Sequence, residues 1–186
     1  MTVKTLFEET LSLGFEDSYE ISRVFLFAAK RALRTIAAEW GGTYSGTVTP
    51  KSTDGQDASE GLLLTEYIRD FLAPSSPPLG KDGKVIVGAE ICGEVMILPK
   101  GYTGEVTVRY KKIPKEIPER EDGEIDVPRI AEHLLPLLTA AYTWLDDAPD
   151  KAEYYMQIYL DETARLKRRI PTSVGAEYGD VTGWAR

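Results

Sequence analysis

The chain has 186 residues, 42% hydrophobic and 28% charged, with a formal net charge of −8, ordinary values for one domain or a domain with an insertion. One cysteine (Cys92), one histidine (His133) and no asparagine exclude an internal disulfide, a cysteine-rich zinc site, histidine-pair metal motifs and N-linked glycosylation. No basic block favours phosphate backbones, and no apolar run approaches the roughly 18 residues of a membrane span.

The N-terminal stretch MTVKTLFEETLSLGF is acidic and amphipathic. It lacks the basic-then-apolar order of a signal peptide, so a cytosolic origin is expected. Val3, Leu6, Phe7 and Leu11 fall at helical spacing, and Gly14 can end that helix. A longer helix follows, with Asp17 or Ser18 as cap and Glu20 in capping-box position. One apolar row holds Ile21, Val24, Phe25, Ala28, Ala32 and Ile36; another holds Leu26, Ala29, Leu33, Ala37 and Trp40. Apolar groups on most of the circumference predict a central, buried helix. Arg23, Lys30 and Arg34 form its polar stripe, and Gly41-Gly42 stops it.

After Gly42, TYSGTVT (43–49) reads as a strand and 51–61 as a polar loop. Residues 62–68 suit either a strand or a helical turn. PSSPPLGKDG (74–83) carries too many breakers for regular structure. Val85–Leu98 reads as a strand with bends at Gly88 and Gly93. PKGYTG then turns the chain into EVTVRY, which alternates Val106, Val108 and Tyr110 against Glu105, Thr107 and Arg109. The two stretches are expected to form a hairpin. Residues 114–128 read as a charged crossing loop.

Helices return near Pro128, with Asp126 as cap and an apolar stripe of Ile130, Leu134, Leu138, Ala141, Tyr142 and Leu145. Pro136 lies inside that stripe and is expected to kink it. A final helix spans Pro149–Arg169, with Ala152, Tyr155, Tyr159, Leu166 and Ile170 on one face and cations in its last turns. Pro171 ends it. Residues 172–186 read as an arm. The order is helices, strands, helices, without strand–helix alternation. The expected fold is α+β: a bundle of about four helices over 1–171, interrupted by an antiparallel β insertion at 43–118, with a C-terminal arm at 172–186.

Candidate sites are few. Asp146, Asp147 and Asp150 in WLDDAPDKAEYY (144–155) could hold a divalent cation or supply a general acid. Helix punctuation explains them more fully: Asp147 as N-cap, Pro149 in the first turn, and acidic charge at the positive helix end. EREDGEIDVP (119–128) lacks the ligand spacing of a calcium loop and reads as solvated. His133 has no nucleophile motif to serve and reads as a half-buried helix residue. Cys92 reads as a small apolar filler. GKDGK (80–84) lacks the length and the following helix of a phosphate loop. The stripe Arg23, Lys30 and Arg34 is either a solvated face or a contact for an acidic neighbouring subunit. In the arm, Tyr178, Val181 and Trp184 either pack back on their own domain or dock on another chain.

The stretches VTVRYKKIPKEI (106–117) and LLPLLTAAYTWLDDAPDKAEYYMQIYL (134–160) resemble tailed-phage head-to-tail adaptor proteins, the ring-forming neck proteins below the portal. The matching positions are Tyr110, Pro114, Leu135, Leu138, Ala141, Tyr142, Asp147, Ala152, Tyr154, Tyr155 and Tyr159. They cover roughly the C-terminal half and are mostly core residues and a cap; the N-terminal half carries no motif of the family. The resemblance implies a structural virion protein of the neck or tail. Its copies would form a ring and contact portal and tail or neck proteins, with no catalytic residue, no cofactor, no membrane contact and no specific nucleic-acid recognition. Read from the residues themselves, the partner-binding candidates are Arg23, Lys30, Arg34, Tyr178, Trp184 and Arg186. A tail or baseplate component is the neighbouring alternative. A carboxylate-dependent hydrolase using acids such as Asp146 and Glu132 is the alternative from another class.

Overall fold

The computed structural model describes residues 1–14, 23–50 and 61–169. In chain order its elements are α1 (Val3–Leu11), α2 (Arg23–Trp40), β1 (Thr43–Val48), β2 (Leu62–Leu63), α3 (Leu64–Tyr67), β3 (Phe71–Pro74), β4 (Leu79–Gly80), β5 (Glu90–Cys92), β6 (Val95–Ile97), β7 (Val106–Lys112), a 3-10 turn (Arg129–Ala131), α4 (Leu134–Thr143) and α5 (Pro149–Arg169). The fold is α+β, helices with antiparallel sheets inserted between α2 and α4. The chain divides into two compact units: Met1–Trp40 with Pro114–Arg186, and Gly41–Ile113. The proposed arm and the expected cap of α2 at Asp17 or Ser18 lie outside the described residues.

The helical unit is organised around α4. Its residues Leu134, Leu135, Leu138, Ala140 and Ala141 are buried, and it packs against α1, α2 and α5. Thr2 is extended and its Oγ1 accepts the Thr5 amide at 3.1 Å, so α1 starts at Val3. Gly14, at φ 96°, takes the left-handed turn after it. Phe7 meets Phe25 of α2 edge-on at 5.3 Å. The 114–128 segment is more than the charged crossing loop expected, and its 119–128 part is not wholly solvated. Ile117, Ile125 and Val127 join the helical core, and backbone bonds from Val3 N to Gly123 O and Ile125 N to Met1 O pin the segment to the α1 end.

Two expectations fail here, for one reason. Pro128 rather than Asp126 holds the cap position, and it opens only the 3-10 turn. The α-helix starts afresh at Leu134. Pro136 therefore falls in the first turn of α4, where the amide it lacks has no intrahelical acceptor, and it starts the helix instead of kinking it. Helix α2 also differs from its reading as a central helix buried on all but its polar stripe: Val24 and Phe27 stand in solvent.

The second unit is built on β7. Along its length β7 pairs antiparallel with β1, from Thr43↔Lys111 to Val48↔Val106. Its other edge carries β3 and β4. The predicted alternation holds: Val106, Val108 and Tyr110 are buried. The predicted hairpin partner does not. Val85–Leu98 is not one strand, because Gly93 at φ 61° folds it into the β5–β6 hairpin, and β6 pairs with β2 in a separate sheet. Residues 62–68 combine both readings, as β2 followed by the single turn α3. The 74–83 stretch, expected irregular, supplies the end of β3 and all of β4. Its prolines lie at or outside the strand ends, and Leu79 and Gly80 pair with Thr107 and Val106.

Candidate interaction surface

On the outer side of α2, Val24, Phe27, Lys30, Arg31 and Arg34 are all exposed. Phe27 keeps 71% of its surface in solvent and Val24 58%. At 100° per residue Val24, Phe27, Arg31 and Arg34 share one face, with Lys30 at its margin. The opposite face buries Phe25, Ala29, Ala32, Leu33 and Ile36. The Arg31 guanidinium sits 4.3 Å above the Tyr142 ring, a cation–π contact that holds it against the helix pair. The single carboxylate of α2, Glu39, is elsewhere: it accepts from the Tyr159 hydroxyl at 3.4 Å and pairs with Lys167. Burial first, and then the Glu39 charge, push the Tyr159 hydroxyl up to about 12. Among the described residues the exposed face of α2 is thus apolar and basic without a compensating acid.

Of the predicted contact residues, Lys30 and Arg34 lie on this face. Arg23 opens α2, but its side chain lies outside the described residues, as do Tyr178, Trp184 and Arg186. By periodicity Val24 belongs to the apolar rows expected to be buried, and Phe27 and Arg31 belong to neither those rows nor the polar stripe. Phe27 falls four residues after Arg23 and three before Lys30, within the span of the Arg23, Lys30 and Arg34 stripe, and that spacing is the available signal.

The outer side of α5 is a counterpart. Asp150, Glu153, Tyr154, Gln157, Leu160 and Asp161 are exposed, with Tyr154 at 62% and Leu160 at 49%. Ala152, Tyr159, Thr163 and Leu166 turn inward. Gln157 donates to Asp161 at 3.2 Å. Between Asp150 and Asp161 this face is apolar and acidic, and it turns basic at Arg165 and Arg168 beyond.

The WLDDAPDKAEYY turn is punctuation, but not through the expected cap. The Ala148 carbonyl accepts the Lys151 and Ala152 amides at 3.0 Å, which makes Ala148 the N-cap. The exposed Asp147 carboxylate has no hydrogen bond among the described residues, because it stands one residue too early. Lys151 Nζ covers the Trp144 ring at 4.1 Å. His133 is exposed at the N-cap position of α4, not half-buried. Cys92 is exposed at the end of β5, not a core filler. A hydrogen bond to Glu90, and then that residue's charge, raise its thiol pKa, which favours the protonated form.

In the second unit, Leu63, Val95 and Ile97 expose the outer face of the β2–β6–β5 sheet. Tyr110 is held by Asp70 at 3.0 Å, and Lys112 pairs with the same carboxylate at 3.0 Å. Burial and the Asp70 contact push Tyr110 up to about 12. Among the described residues no group of three or more His, Cys, Asp or Glu could hold a metal ion, and no helix is long and apolar enough to cross a membrane. Compared with known proteins, the chain matches no family model and no curated protein sequence.

Proposed function

We propose that this chain is a structural subunit of a tailed-phage particle: a head-to-tail adaptor whose copies form a ring joining the portal to the tail. The reading rests on the adaptor-like positions of the C-terminal half and on where their side chains lie. Leu135, Leu138 and Ala141 are core residues of α4; Ala152 and Tyr159 are core residues of α5; Tyr110 is a core residue of β7. The observation that carries the assembly role is Tyr154. It is one of the matching positions, yet 62% of it faces solvent on the outer side of α5. With Leu160, 49% exposed on the same side of α5, it forms an exposed aromatic and aliphatic pair within charged residues, which supports a contact between chains. The ring would be mechanical, its affinity coming from apolar anchors within charged rims.

The test is to fit the chain into density of the intact particle that carries it, alongside binding of purified chain to portal rings. The expected result is a ring of copies between portal and tail. A chain found in the baseplate, or one that binds neither portal rings nor neck proteins, overturns the assignment.

A further inference from the structure

The outer faces of α2 and α5 belong to one unit and are complementary in detail. Each carries one exposed aromatic and one exposed aliphatic residue: Phe27 and Val24 on α2, Tyr154 and Leu160 on α5. The charges around them have opposite signs, Lys30, Arg31 and Arg34 against Asp150, Glu153 and Asp161. The match extends to spacing. Val24 to Arg34 and Asp150 to Leu160 each cover about 15 Å of helix axis. Run antiparallel, Arg34 meets Asp150, Lys30 and Arg31 meet Glu153 and Tyr154, Phe27 meets Gln157, and Val24 meets Leu160. That direction also opposes the two helix dipoles.

From this we infer that the α2 outer face of one copy docks antiparallel on the α5 outer face of the next. The inference rests on the adaptor reading only in taking the partner to be a second copy of this chain. The occupant follows from charge. A helix face that is basic and free of carboxylates among the described residues, on a chain of net charge −8, is complementary to the chain's own acidic surface, and like-charge alternatives are penalised. Because the two faces differ, the contact is heterologous: each copy offers one face forward and the other back, which propagates to a closed ring or an open helix rather than a two-fold dimer. Arg31, already held over Tyr142, loses less freedom on binding than a free side chain would.

A charge swap tests this. Two variants are made, K30E/R34E and D150K/E153K, all at exposed positions, and their folding is checked by circular dichroism. Sedimentation velocity at low ionic strength then reads association, on portal rings if the free chain needs a template. Wild-type chain should self-associate. Each variant alone should associate about tenfold more weakly or less. An equimolar mixture should recover association, because each variant then meets its complement on both faces, and so should a single chain carrying all four substitutions. Reversals that leave wild-type association unchanged, or folded variants that do not recover on mixing, overturn the pairing. So does a wild-type chain that forms no oligomer, alone or on portal rings. Portal binding by the same samples separates the two ideas: binding with association indifferent to the reversals sinks only the pairing, and loss of binding by wild-type chain sinks the adaptor reading itself.

Discussion

At the scale of single residues, caps and phenols make the clearest predictions. Thr2 is a working N-cap, its Oγ1 on the Thr5 amide, and Thr2→Ala should cost about 1 kcal/mol in urea unfolding. Asp147 only resembles one, so Asp147→Ala should change stability by no more than about 0.5 kcal/mol. A larger loss would place its carboxylate back in the cap. Tyr110 and Tyr159 are both pushed up to about 12 from 10.0. Their folded values exceed the unfolded one, so the folded state binds more protons above pH 10. The stability they supply is complete below pH 10 and is lost as pH rises towards 12. Urea midpoints should fall across that window, and Tyr110→Phe should flatten the fall. Asp70 works at the other end. Burial opposes its ionisation, but Lys112 and Tyr110 outweigh it and leave its pKa below 3.8. Its contribution is present above that value and fades as pH falls below it. None of these pairings could be read from the chain: Tyr110 and Asp70 lie forty positions apart, and only the β3–β7 pairing brings them together.

At the scale of elements, legibility followed locality. Helices α1, α2 and α5 were visible because their 3.6-residue periodicity is written within the helix itself. The alternation of β7 was visible for the same reason. Strand partners were not, because pairing is decided between distant segments: β1 and β7 are separated by most of the insertion, and a hairpin between neighbours looked simpler. The start of α4 was lost because a proline in a first turn and a proline in mid-helix look alike until the helix boundary is known. The exposed face of α2 was hidden in the same way, since an apolar row predicts contact without saying which chain supplies it. Leu138 tests the element most central to the helical core. It is 1% exposed on the helix that α1, α2 and α5 all pack against. Leu138→Ala should lower stability by about 2–5 kcal/mol through the cavity it leaves, read as a lower urea midpoint at unchanged slope.

At the scale of the whole molecule, the two cores are drawn from separate stretches of chain. The helical core uses residues between Val3 and Trp40 and between Ile117 and Leu166. The sheet core uses only residues between Val48 and Tyr110. The chain enters and leaves the second unit side by side, because Thr43 and Lys111 are paired neighbours whose Cα atoms lie about 5 Å apart. A glycine-serine linker of about six residues, with an r.m.s. span near 13 Å, should therefore replace 41–113 and leave the helical unit folding cooperatively. Circular dichroism with thermal melting checks this. A shortened chain that melts without a transition would show that the helices need the sheets. The order of helices and insertion was legible from sequence, because the change of period at Gly42 and the return of helical spacing after Pro128 are both local.

The doubled junction at Thr43 and Lys111 also sets how the insertion answers force. A pull on the far tip of the sheet unit is carried by two covalent strands leaving one point, like a weight on a doubled thread, and it runs along the strands rather than across their hydrogen bonds. A pull that spreads the two threads loads the Thr43–Lys111 end first, where Lys111 Nζ also holds the Gly41 carbonyl at 2.6 Å, and then the rungs beyond it in sequence. The β1–β7 ladder should therefore resist force along its strands and yield to force that parts them.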